Sequence, residues 1–120
     1  MPRDEISFTL DMLKGNARGL RSAFLTSLQG KFLGSTQLTG MEKIQLGGIC
    51  AASLAIATKG LIDLQLGRLR QVHIVGDGGS ILLLNVGMKA VLAVVAEEDA
   101  PFEPLVEEAK KAAGRLAPLV

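Results

Sequence analysis

The alternation of hydrophobic and polar residues predicts a helix followed by a β-hairpin at the start of the chain. Asp4 is a suitable N-cap for a helix that carries Ile6 and Leu10 on one face. From about Leu20 to Leu38 the pattern becomes extended and is interrupted by a turn at Gln29-Gly30-Lys31. Both faces of the first strand carry apolar residues, so we expect both to be at least partly covered.

A long helix is predicted from about Met41 to Gln65, with Thr39 as its N-cap and Glu42 as a favourable acid in its first turn. Its stretch Ile44–Thr58 holds no charge and is rich in Gly and Ala. One predicted stripe is bulky and packs on the chain's own sheet: Leu46, Cys50, Leu54, Ala57, Leu61 and Leu64. A second face carries small residues: Gly47, Gly48, Ala51, Ala52 and Ala55.

The small-residue face is explained if another backbone approaches it closely, most simply the same helix of a second copy. The alternative is a central helix that is wrapped on all sides within one subunit. A short chain has few elements with which to wrap it.

The rest of the chain predicts a three-stranded meander and a final helix. The three strands are LRQVHIV (69–75), SILLLNV (80–86) and AVLAVVA (90–96). Gly67 ends the long helix, and the last helix opens at Pro101 or Pro104. The predicted fold class is therefore α+β: a three-layer α/β/α sandwich around a five-stranded antiparallel sheet, forming one domain over residues 1–120.

Composition narrows the choice of partner and compartment. A net charge of +1 and 3% aromatic residues argue against a nucleic-acid partner. The single cysteine, Cys50, lies in an apolar helix and fits a small buried hydrophobe in a reducing, cytoplasmic setting. The charged N-terminus is unlike a signal peptide. The apolar segments Ile44–Thr58 and Ser80–Ala96 are too short or too interrupted for membrane insertion, so we predict none.

No constellation of residues predicts catalysis, a cofactor or a metal site. Gly76-Asp77-Gly78-Gly79 lies between two strands and is typical of a hairpin turn, not a phosphate loop. His73 is the only histidine and has no nearby nucleophile. Glu97-Glu98-Asp99 is best explained as a solvated loop before the last helix. No feature distinguishes one arginine as an arginine finger among Arg18, Arg21, Arg68, Arg70 and Arg115.

Several segments resemble roadblock/dynein light chain domains. Gly19–Ser27 (GLRSAFLTS) resembles the first strand of that family, and Gln29–Leu33 (QGKFL) resembles its Asp-Gly hairpin. The family usually has a small polar residue and Asp where this chain has Leu28 and Gln29. The Gly/Ala-rich helix, residues 66–100 and the final RLAPLV extend the similarity over the whole length.

The resemblance implies a roadblock/profilin-like fold. It also implies a homodimer in which the long helices pair and the strand Leu69–Val75 pairs with the same strand of the second subunit, so that one sheet continues across both. An exposed edge strand with little charge independently favours such pairing. The predicted interface residues are Gly47, Gly48, Ala51, Ala52, Ala55, Leu69, Gln71, His73 and Val75. Two His73 side chains brought together in this way would make pairing sensitive to protonation.

Family members regulate or scaffold small Ras-like GTPases, or serve as adaptors in motor and signalling complexes, and are generally not metabolic enzymes. The resemblance therefore implies a non-enzymatic homodimeric module that binds a small Ras-like GTPase. The alternative is a structural adaptor of the dynein light chain type, without GTPase regulation. The predicted partner contacts flank the paired helices: Glu42, Gln45, Lys59 and Asp63.

Overall fold

A five-stranded antiparallel sheet with the order β2-β1-β5-β4-β3 forms the middle layer of the protein. The computed structural model describes residues 2–120. The strands are β1 (Leu20–Ser27), β2 (Phe32–Ser35), β3 (Gln71–Gly76), β4 (Gly79–Val86) and β5 (Ala90–Glu97). The helices are α1 (Pro2–Asn16), α2 (Gly40–Asp63) and α3 (Phe102–Leu116), and a short 3-10 turn, Ala117–Leu119, follows α3.

The predicted order of helix, hairpin, long helix, three-stranded meander and helix is confirmed, as is the three-layer α+β architecture. Successive residues of a strand point to opposite faces of the sheet. Along β5, Leu92 and Val94 therefore join the core beneath α1 and α3, while Val91 and Ala93 join the core beneath α2. This alternation explains why the central strand is apolar at nearly every position.

The core beneath α1 and α3 is closed by well-buried side chains from both helices. Leu10 of α1 and Leu105 and Leu116 of α3 are essentially inaccessible to solvent. At one point the Ile6 side chain of α1 lies directly on the backbone of β2, because a Cβ on Gly34 would lie 2.6 Å from Ile6 Cγ2. Glycine at this position thus lets α1 settle against the sheet.

The predicted boundaries of four elements were wrong. Helix α1 begins at Pro2, so Asp4 lies within its first turn and is not its N-cap. β2 ends at Ser35, not near Leu38, and β3 begins at Gln71, not Leu69. Helix α2 ends at Asp63 and not at the predicted stop, Gly67, because the chain turns at Gln65, whose φ of 58° lies in the left-handed region. Leu64 consequently leaves the predicted bulky stripe and is 71% exposed.

Candidate functional site

Helix α2 begins with a complete capping box. Thr39 Oγ1 accepts a hydrogen bond from the Glu42 backbone N–H at 3.1 Å, and Glu42 Oε1 accepts one from the Thr39 N–H at 3.0 Å. These bonds stabilise the charged carboxylate and lower the pKa of Glu42, with the backbone N–H of Thr39 as the larger cause. Thr39 is confirmed as the N-cap, so the helix start is fixed by local sequence.

Only a narrow strip of α2 contacts the sheet. Leu46 and Cys50 are buried against Phe24 and Leu83, while Leu54 and Leu61, which were predicted in the same stripe, are only half-buried. Within residues 2–120, α2 is the one helix long and apolar enough to cross a membrane by length and composition, and 11% of its most apolar window is buried. Much apolar surface is left without cover in the single chain.

The side of α2 turned away from the sheet carries an apolar stripe, here named the α2 outer face: Ile44, Gly48, Ala51, Ala52, Ala55 and Ile62. All six residues are exposed, and Ile44 and Ile62 are 73% and 66% exposed. The sequence predicted the small residues of this face but not the two isoleucines. Their helical spacing from Ala55 is the signal that would have found them.

Gly48 has no reason to be glycine within one protomer. A Cβ built there meets nothing within 4 Å. Glycine in the middle of a helix costs about 0.5–1 kcal/mol relative to alanine. The cost is accounted for if a backbone from outside the protomer approaches this position. Gly47, the neighbouring predicted interface residue, is half-buried.

A cleft of about 930 Å³ separates the second half of α2 from one end of the sheet. Ala51, Ala55 and Ile62 line it from the helix, and the exposed side chains of Leu28 and Met88 line it from two hairpin turns. Part of the α2 outer face therefore borders an open apolar depression. Such depressions mark sites where another chain or a ligand packs.

Strand β3 lies at the edge of the sheet, and helix α2 contacts it. Its inner side pairs with β4, and no strand among residues 2–120 pairs with its outer side. The predicted interface residues Gln71, His73 and Val75 are all exposed on it. Leu69 precedes the strand, and its carbonyl accepts a hydrogen bond from Asn85 Nδ2. The main-chain donors and acceptors of an open edge are available to another strand.

His73 points to the face of the sheet that carries α3. Its ring stacks on Phe102 with the ring centroids 4.3 Å apart and the planes 24° from parallel. The histidine is thus held by a residue at the start of α3. The contact orients the His73 ring toward α3. The approach of two His73 side chains in a dimer stays a prediction.

The four predicted partner contacts do not form one cluster. Lys59 Nζ pairs with Asp63 Oδ2 at 2.8 Å, whereas the Glu42 carboxylate is taken up by the capping box. Gln45 is exposed. Seventeen helical residues at about 1.5 Å each place Glu42 roughly 25 Å from Lys59. These residues mark two ends of one helix surface.

The reactive and ionisable groups singled out in the sequence have ordinary structural surroundings. The Cys50 thiol is buried, and burial raises its pKa to about 11, which disfavours the nucleophilic thiolate. The Glu97 carboxylate pairs with Arg21 at 3.1 Å. Within residues 2–120, no three His, Cys, Asp or Glu side chains are grouped to hold a metal ion. Gly76 pairs with Gly79, so the GDGG segment is a β-hairpin turn as predicted.

The fold matches several solved structures closely. The gliding protein MglB from Thermus thermophilus superposes with a TM-score of 0.86 at 23% identity, covering 98% of this chain and 90% of that chain. An MglB in a tetrameric arrangement gives 0.87 at 24% identity, covering 98% and 89%. A Roadblock/LC7 domain from Streptomyces avermitilis gives 0.88 at 19% identity, covering 93% and 94%.

At these identities the likeness establishes the shared fold. No curated protein sequence matches the chain significantly. The sequence profile of the Roadblock/LC7 domain matches residues 9–96, from the middle of α1 to the end of the meander's final strand. The chain therefore belongs to the Roadblock/LC7 domain family.

Proposed function

We propose that this chain is a homodimeric regulatory module that binds a small Ras-like GTPase and modulates its activity or its localisation. The observation that carries the proposal is that the single chain leaves both the apolar α2 outer face and the edge of β3 exposed. Membership of a family whose members are generally regulatory and not catalytic supports it. The buried thiol of Cys50 and the scattered polar residues favour binding over catalysis.

Two surfaces that lack cover in the single chain support the proposed dimer. Pairing of the β3 edges would satisfy main-chain groups, and pairing of the α2 outer faces would remove Ile44 and Ile62 from water. Gly48 and Ala52 allow two helix backbones to come close without a side-chain clash. The similarity to an MglB with a tetrameric arrangement supports self-association.

A dimer of this kind would present two α2 helices on one face of a continuous sheet. That surface is broad and keeps polar residues at its ends, including Gln45 and the Lys59–Asp63 ion pair. We propose it as the docking surface of the GTPase. The free, buried Cys50 fits residence in the reducing cytoplasm, which forms part of the proposal.

Three measurements test the proposal. Sedimentation equilibrium should give a dimer at micromolar concentration. The tagged chain, used to capture proteins from its native cell in the presence of a non-hydrolysable GTP analogue or of GDP, should retain a small GTPase in one nucleotide state only. Phosphate release by that GTPase with and without the chain then separates a change of activity from a change of position.

A monomeric Ala52→Arg variant provides the control for the capture, and Gly15→Arg on α1 is its match. Gly15 is exposed and a side chain there meets nothing within 4 Å. Gly15→Arg should retain the GTPase, whereas Ala52→Arg should lose it. If the same proteins are captured with the GTP analogue and with GDP, the result would contradict GTPase regulation and support the structural adaptor instead.

A further inference from the structure

The two ends of β3 carry opposite charge. Arg68, Arg70 and Lys110 line an open cleft of about 1180 Å³ where β3 begins, and no carboxylate of the described chain lines it. We name these three residues the basic end. A second cleft, of about 490 Å³, lies where β3 finishes and is lined by the acidic end, Asp77, Glu98 and Asp99.

None of these six side chains forms an ion pair within residues 2–120. The ion pairs of this part of the chain lie elsewhere, at Arg21–Glu97, Lys59–Asp63 and Lys111–Glu108. Glu97 also lines the acidic cleft, but it is occupied by Arg21. The uncompensated charges are therefore separated along one open strand edge, with the positive charge at its start and the negative charge at its finish.

Antiparallel pairing of two β3 edges brings unlike ends together. The start of β3 in one copy then lies beside the finish of β3 in the other. A twofold axis perpendicular to the sheet keeps both α2 helices on one face and requires one β3 residue to lie opposite itself. His73 and Ile74 are the central candidates, because β3 extends from Gln71 to Gly76.

Either register places opposite charges next to each other. With His73 on the axis, Asp77 of the second copy lies opposite Leu69, and with Ile74 on the axis it lies opposite Gln71. Arg70 is one residue away in both cases, a displacement of about 3.3 Å along the strand. Arg70 and Asp77 both lie just outside β3, where the alternation of strand faces ends, so a long arginine side chain can approach the carboxylate. The symmetry creates the same approach twice.

We propose that the basic and acidic ends of β3 select a second copy of this chain as the partner of its strand edge and fix the antiparallel orientation. The inference rests on the homodimer of the proposed function. It adds a reason why the strand edge pairs with a second copy of this chain and not with another chain that carries an apolar helix. Parallel pairing would place like charges together, which is unfavourable. The apolar α2 outer face supplies affinity, whereas the charged ends supply the choice of partner and orientation.

Charge reversal with complementation tests the proposal. Arg68→Glu/Arg70→Glu reverses the basic end, and Asp77→Lys/Glu98→Lys reverses the acidic end. Asp77 does not adopt a left-handed φ, so lysine is tolerated in the turn. Each variant alone should raise the dimer dissociation constant at least about tenfold at low salt. An equimolar mixture of the two should form a heterodimer with an affinity near that of the wild type, because every end again faces its opposite.

The matched control for reversal of the basic end is Arg3→Glu/Lys14→Glu. It makes the same change in net charge, but on α1 and away from β3. It should leave the dissociation constant within about twofold. Wild-type affinity should fall as NaCl rises from about 50 mM to about 500 mM, whereas screening should strengthen either reversal variant. Sedimentation of all variants at one pH gives the dissociation constants, and circular dichroism confirms that each variant is folded.

The outcomes separate this inference from the proposed dimer. If the reversal variants dimerise as tightly as the wild type while Ala52→Arg is monomeric, charge selection is wrong and the helix-paired dimer stands. A mixture that associates no better than either variant alone also overturns charge selection. A wild-type chain that is monomeric at micromolar concentration overturns both.

Discussion

The two faces of the sheet are covered to very different degrees. Beneath α1 and α3, side chains such as Leu10 and Leu105 seal a core that the single chain completes by itself. Beneath α2, only Leu46 and Cys50 are buried from the helix, although α2 is the longest helix. The difference shows that α2 contains more apolar surface than its own sheet can use.

The glycines on the two faces of the sheet have different structural explanations. Gly34 is explained inside the protomer, since a Cβ there would collide with Ile6. Gly48 is unexplained inside the protomer, since a Cβ there meets open space. Gly48 lies on a face that also exposes Ile44 and Ile62, so its cost in helix stability favours a contact with another molecule there. Gly15 lies at the end of α1, where glycine carries no such implication. The closed face thus determines the fold, and the open face is available for association.

The closed face should be the more sensitive to truncation. Leu92→Ala removes a fully buried side chain of the central strand and should lower the free energy of unfolding by about 2–5 kcal/mol. Leu54→Ala on the half-buried side of α2 should cost clearly less in the monomer, because less surface is lost. Urea unfolding at low protein concentration compares the two, and equal losses would contradict the contrast between the faces.

The open face should be the more sensitive in association. Ala52→Arg introduces a long charged side chain into the proposed helix contact and should weaken the dimer by at least roughly 100-fold. Because Ala52 is exposed in the protomer, monomer unfolding should change by less than about 0.5 kcal/mol. Sedimentation and urea unfolding measure the two effects, with Gly15→Arg as control. An unchanged dimer would refute the helix-pairing proposal.

Gly48→Ala should have opposite effects on the two states. In the monomer it should raise the stability by about 0.5–1 kcal/mol, since alanine favours the helix and no neighbour obstructs its methyl group. In the dimer the same methyl group should loosen the contact between helices. Unfolding measured at low and high protein concentration would reveal the reversal, and a gain at both concentrations would show that no backbone approaches Gly48.

The smallest expected effect concerns the start of α2. Hydrogen bonds from Thr39 lower the folded-state pKa of Glu42, so its contribution to stability is present above the ordinary pKa of 4.5. That contribution is lost as the pH falls through the lowered folded-state value. Amide exchange in the first turn of α2 should therefore quicken on acidification. Glu42→Gln should flatten this response, and an unchanged response would assign it to another group.

Much of the fold was predictable because periodicity reports burial on both faces of the sheet. Thr39 and the GDGG turn were predicted correctly because short-range hydrogen bonds and φ angles determine them. The end of α2 was predicted incorrectly, because Gln65 adopts a left-handed conformation and glutamine at this position gives no sign of it. Contacts between distant elements, such as His73 on Phe102, depend on tertiary packing and leave no local pattern.

The small residues of the candidate site were predictable because glycine and alanine stand out in a long helix. Ile44 and Ile62 were missed because a bulky residue in an apolar helix is ordinarily assigned to the core. The charged ends of β3 were also missed as a unit. Lys110 lies forty residues beyond Arg70 and lines the same cleft only because α3 packs beside β4.

The buried thiol of Cys50 can serve as a built-in probe of how often α2 separates from the sheet. Its thiol lies between α2 and the sheet, and the described chain holds no other cysteine, so an alkylating reagent can react only when α2 lifts. The rate of alkylation then reports the frequency of that opening, without any added label. If a second copy holds α2 down, the reaction should slow as the protein concentration rises, by mass action.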